Sequence, residues 1–106
     1  MNTNTFNTMK KTKDRVIWLL QAIPHLRDSD EKLISTYWWY ELGKDRTQTF
    51  SAFEFMDLYS KGKVTAADNI TRCRRKAQEQ YPELRGATWK ARHTEAEQFS
   101  KEVNNL

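Results

Sequence analysis

The chain is poor in the residues that bend, break or crosslink a backbone. Its single cysteine, Cys73, has no second thiol for an internal disulfide and fits a reducing compartment. Two prolines and three glycines leave few turn positions, which points to helices joined by few connections. No apolar run approaches the ~20 residues of a membrane-spanning helix. The polar stretch from Met1 to Thr8 lacks the apolar centre of a signal peptide, so a cytoplasmic protein is expected. Two distant histidines, His25 and His93, cannot with one cysteine supply the ligands of a metal site. No nucleophile–base set, glycine-rich phosphate loop or usefully spaced carboxylate pair is present. The acidic group Asp28, Asp30 and Glu31 suits a helix N-terminus, where the dipole favours it. The pattern calls for no enzyme activity, no metal and no cofactor.

What is present is charge and aromatic bulk. The hydrophobic fraction of 38% lies below the ~45–50% of ordinary globular domains, but 12% aromatics offset the deficit. At 106 residues the chain suits one domain with a modest core. The formal charge of +4 is unevenly spread: +4 over residues 1–27, −4 over 28–60, +6 over 61–92 and −2 over 93–106. So basic a third quarter points to a polyanion, with nucleic acid favoured over a membrane surface because no long amphipathic Trp/Lys helix lies there.

Periodicity and capping predict an all-α bundle of about five helices. Residues 1–9 read as a flexible arm and residues 10–106 as one helical domain. The first helix spans Thr12 to Ile23, with Val16, Leu19, Leu20 and Ile23 on one face and Pro24 as its boundary. Asp28 or Ser29 opens the second, which turns Leu33, Ile34, Tyr37, Trp38 and Tyr40 inward and ends near Leu42-Gly43. In the run Tyr37-Trp38-Trp39-Tyr40 all four rings cannot face one way. Trp39 is left exposed, as a protein interface or under the N-terminal arm. A capping box Ser51-Ala52-Phe53-Glu54 opens the third helix, with Phe53, Met56 and Tyr59 inward and Gly62 at its close. Thr65-Ala66-Ala67-Asp68 repeats the pattern for the fourth, whose buried stripe is Ile70, Cys73, Ala77 and Tyr81. A fifth helix from Thr88 to Val103 carries Trp89, Ala96, Phe99 and Val103, to pack on the core or to pair with a second copy in a homodimer.

The third and fourth helices, joined across Lys61-Gly62-Lys63-Val64, have the order of a DNA-reading helix-turn-helix at about residues 51–81. A minimal wing is open to Lys63-Val64 or to the loop around Leu84. With Ile70 in the buried stripe, about 100° per residue sends Thr71, Arg72, Arg75 and Lys76 to the solvent side. Arg74 falls beside the stripe, its stem packed and its head paired with a carboxylate. The expected partner is duplex DNA, with Thr71, Arg72, Arg75 and Lys76 toward the groove and Lys61, Lys63, Arg85 and Lys90 on phosphates. A solvated charged face is the plainer reading of such a run.

The segment Ile70-Thr71-Arg72-Cys73-Arg74-Arg75-Lys76-Ala77-Gln78-Glu79, followed by Pro82-Glu83-Leu84-Arg85-Gly86, resembles small phage and prophage proteins of Gram-positive bacteria that carry I-T-R-x-R-R-K-x-Q-E and P-E-L-R-G. The resemblance brings no established activity. It implies a phage context in a bacterial host cell and a helix-turn-helix-like domain, hence a regulator or a replication or packaging accessory. The rival is a phage-encoded inhibitor or adaptor, of anti-CRISPR or anti-restriction type, that meets a host protein through the basic helix or the Trp39 surface.

Overall fold

The computed structural model describes residues 3–42 and 51–91, and every regular element within them is helical. In chain order these are α1 (Thr3–Thr8), α2 (Thr12–Ala22), a 3-10 turn (Pro24–Asp28), α3 (Asp30–Glu41), α4 (Ala52–Ser60), α5 (Ala67–Gln80) and a second 3-10 turn (Pro82–Leu84). A further helix begins at residues 87–91. The remainder of the expected fifth helix, with Ala96, Phe99 and Val103, and the end of the second helix at Gly43 lie outside the described residues. The architecture is an all-α bundle, as the periodicity predicts.

The core explains which faces meet. Val16, Leu19 and Leu20 of α2, Leu33, Tyr37 and Tyr40 of α3, and Ile70 and Ala77 of α5 form one buried cluster with Leu26 and Leu84. Each group recurs at three- or four-residue spacing, so each helix presents one apolar stripe. α5 packs chiefly on α2 and then on α3.

Of the expected loose arm, the described residues 3–9 are ordered against the core. Thr3–Thr8 is helical, and Phe6 is fully buried. Its ring centroid lies 5.1 Å from that of Tyr37 and 5.4 Å from that of Tyr40, and the Arg15 guanidinium sits 4.6 Å from it. One aromatic anchor secures the segment where its neighbours contribute nothing apolar.

Capping follows the sequence at some ends and departs at others. Ser29 is the N-cap of α3, its hydroxyl accepting from Lys32 N–H at 3.2 Å. Asp28 is engaged elsewhere, accepting from Thr88 N–H at 2.9 Å. Half of the expected Ser51–Glu54 capping box forms: the Ser51 hydroxyl accepts from Glu54 N–H at 3.1 Å, but it also donates to Glu54 Oε1 at 3.1 Å, so the carboxylate takes the hydroxyl and not the Ser51 N–H. α4 ends in a Schellman motif: Lys63 N–H donates to Leu58 O, Gly62 N–H donates to Tyr59 O, and Gly62 takes the left-handed φ of 71°.

The face of α4 departs from expectation at Phe53 and Met56, while Tyr59 lies inward as expected. Phe53 is 82% exposed and Met56 59%, whereas Phe55 and Tyr59 turn inward against the Trp38 ring. The helix buries no residue completely. Nor does Thr65 cap α5, which starts from Ala66 without a side-chain cap. The Thr65 hydroxyl instead donates to Glu41 Oε2 at 2.5 Å, and its N–H donates to Glu41 Oε1 at 2.7 Å. The Trp38 indole N–H donates to Thr65 O at 2.7 Å. A half-buried carboxylate outbids a helix end for this hydroxyl, so the α4–α5 connection is latched to α3. Tyr59 reaches across it, its hydroxyl accepting from Ala67 N–H at 3.2 Å. Close helix-turn-helix packing of α5 on α4 is not seen, since α5 lies on α2 and α3. Among the described residues there is no strand, so neither Lys63-Val64 nor the Leu84 loop forms a wing.

Candidate functional site

α5 divides its cations between two duties. Its inward side holds Ile70, Ala77, Arg74 and Gln78 buried, with Cys73 and Tyr81 half-buried. Arg74 is 8% exposed. Its Nη1 donates to Arg27 O at 2.9 Å, and its Nε lies 2.9 Å from Asp30 Oδ1 in an ion pair that is not an aligned hydrogen bond. This is the packed stem and paired head expected of it. Gln78 is the unexpected buried polar residue. Its amide donates to Arg27 O at 3.0 Å and to Leu84 O at 3.1 Å, tying both 3-10 turns to α5. Nothing in the sequence distinguishes it from a solvated glutamine.

The outward side carries Arg72, Arg75 and Lys76, all exposed. Positions i, i+3 and i+4 fall on one face within little more than a turn. None of the three has a hydrogen-bond or ion-pair partner among the described residues. Asp68 and Glu79, one turn before Arg72 and one turn after Arg75, are exposed on the same side and pair with neither. Thr71, expected beside these cations, is half-buried, and its hydroxyl donates back to Asp68 O at 3.2 Å. It stands at the edge of the face.

The four expected phosphate holders separate as well. Lys63 is exposed and unpartnered among the described residues, and Lys90 is exposed in the helix that begins at residue 87. Lys61 pairs with Asp57 at 2.9 Å, one turn back on α4. Arg85 is engaged internally. Its Nε donates to Gln78 O at 2.6 Å, its Nη2 donates to Glu79 O at 2.9 Å, and its guanidinium stacks 3.9 Å from the Trp89 ring centroid. A cation on the last carbonyls of a helix is favoured by the dipole, which explains why Arg85 folds back onto α5.

Trp39 is 40% exposed, edge-on to Tyr40 at 5.0 Å, and borders an open depression with Ser35 and Thr36. Phe53 lines a second depression with Glu54, Asp57 and Leu58. Among the described residues no three His, Cys, Asp or Glu side chains converge as a metal site, and no helix is long and apolar enough to cross a membrane. No family model, curated protein or solved structure matches this chain.

Proposed function

We propose that this chain is a non-catalytic duplex-DNA-binding protein that lays the exposed face of α5 against the groove and its flanking phosphates. The observation that carries the reading is the split among neighbouring arginines. Arg74 and Arg85 are engaged in holding the fold, while Arg72, Arg75 and Lys76 have no partner among the described residues. Like charges at i,i+4 weaken an isolated helix by a few tenths of a kcal/mol, so the Arg72–Lys76 pair is retained at a small cost in stability. A polyanion repays that cost. Arg72 and Arg75 have the planar fork that matches a guanine edge or a phosphate, and Lys76 and Lys63 act as point charges on phosphate. Lys61 joins them by exchanging Asp57 for a phosphate, since an exposed pair is worth only ~0–1 kcal/mol. A phage regulator or a replication or packaging accessory fits the resemblance of the α5 segment.

Phe53 and Met56 favour a second reading, in which an inhibitor or adaptor docks a protein partner on α4, where Glu54 and Asp57 would repel DNA. Fluorescence anisotropy on a random duplex at ~50 mM salt separates the two, a condition under which non-specific binders associate measurably. The wild type is expected to bind, and the combined Arg72→Ala, Arg75→Ala and Lys76→Ala variant to bind weakly with a flatter salt dependence. No binding by the folded wild type to any duplex would overturn the DNA reading.

A further inference from the structure

We infer that the DNA-binding surface does not end with α5 but continues onto the N-terminal end of α2, where Lys10 and Lys11 just before the helix and Lys13 in its first turn hold the backbone of the same duplex. This deepens the DNA reading above and rests on it. The two basic segments are far apart in sequence, yet Lys13 Nζ donates to Gln80 Oε1 at 3.0 Å, so the start of α2 abuts the last turn of α5. Gln80 follows Lys76 by one turn on the same side of α5, which makes Lys13 the next cation beyond Arg72, Arg75 and Lys76.

Lys10, Lys11 and Lys13 are exposed, and none has a carboxylate partner among the described residues. Their placement works against the fold. Lys11 is the N-cap of α2 and supplies no side-chain cap, and three cations stand where the helix dipole favours anions. Asp14 alone in that turn has the favourable sign. Local rules broken without an internal return mark positions kept for something outside the molecule. The joined surface holds six cations, Lys10, Lys11, Lys13, Arg72, Arg75 and Lys76, against the three carboxylates of Asp14, Asp68 and Glu79.

The dimensions suit a duplex. Eight residues separate Arg72 from Gln80, about 12 Å along the axis at ~1.5 Å per residue. The major groove is also ≈12 Å wide, so cations of α5 at one wall bring Lys13 to the strand on the other.

The test replaces Lys10, Lys11 and Lys13 together by Gln in the full chain and measures affinity for a random duplex across a salt series. The log–log slope is expected to fall by about 0.9 for each lysine that holds a phosphate, roughly 2–3 in all, with the melting temperature unchanged or raised. The single Lys13→Gln variant, which leaves the rest of the turn intact, should lower the slope by about 0.9 and keeps the test decisive if the triple variant folds poorly. An unchanged slope in both lysine variants, beside a reduced slope in the Arg72/Arg75/Lys76 variant, would overturn the extension and leave the DNA reading standing. A wild type without salt-dependent binding would overturn both.

Discussion

Arg74→Ala is the sharpest test of how α5 is oriented. The wild-type guanidinium is 8% exposed, donates to Arg27 O at 2.9 Å and sits 2.9 Å from a buried Asp30 oxygen. Truncation removes a charged hydrogen bond, worth roughly 1.5–3 kcal/mol, together with the packing of the stem. It also strands Asp30 Oδ1. Two features limit the damage. Arg27 O keeps the Gln78 amide at 3.0 Å, and the Asp30 side chain is 38% exposed in the first turn of α3, where the dipole favours it. The net loss should be ~2–3 kcal/mol, which for a domain of about 100 residues lowers the melting temperature by roughly 10–20 °C. Arg74→Lys should not rescue it, because a single ammonium cannot address both partners. Arg75→Ala should stay within ~0.5 kcal/mol of wild type, as exposed substitutions do. Thermal and urea unfolding followed by circular dichroism measures both. An Arg74→Ala variant as stable as wild type, or an equally destabilised Arg75→Ala variant, would refute this orientation of the helix.

Phe6→Ala should cost about 3 kcal/mol, the low end for a buried aromatic because α1 is short, and chemical denaturation would read the loss; a change under ~0.5 kcal/mol would return residues 3–9 to the status of an arm. Gly86→Ala should destabilise by ~1–3 kcal/mol, since its Cβ would collide with the Asp28 carboxylate that accepts from Thr88 N–H. Adding Asp28→Ala should recover part of that loss, and a double-mutant cycle without coupling would exclude the clash.

How much of this was legible in the sequence differs from helix to helix. The α2 stripe, the inward face of α3, the Ser51 cap and the Gly62 close all follow from spacing and capping rules that act within a few residues. The opposed placements of Arg74 and Arg75, one buried and one exposed, were legible for the same reason, since rotation about α5 separates neighbours. α4 was ambiguous because Phe53, Phe55, Met56, Leu58 and Tyr59 put apolar groups all round it. The Trp38 ring, contributed by another helix, selects Phe55 and Tyr59. The Thr65 cap was misread, and the internal partners of Gln78 and Arg85 were not legible, by the same mechanism. Each has a local role by rule, and each is claimed by a partner that only the tertiary fold supplies: Glu41 for Thr65, two 3-10 carbonyls for Gln78, and the α5 terminus for Arg85. Of the expected groove face, Arg72, Arg75 and Lys76 stand clear of the fold, and Thr71 lies at its edge.

Contact between the outward face of α5 and duplex DNA can be read residue by residue. Titrating the isotopically labelled protein with a random duplex at low salt, and following each backbone amide by NMR, tests it most directly. Graded shifts are expected at Arg72, Arg75, Lys76 and Lys13, lost again as salt is raised, with Phe53 and Met56 of α4 unmoved. Shifts confined to α4, or none at any residue, would contradict it.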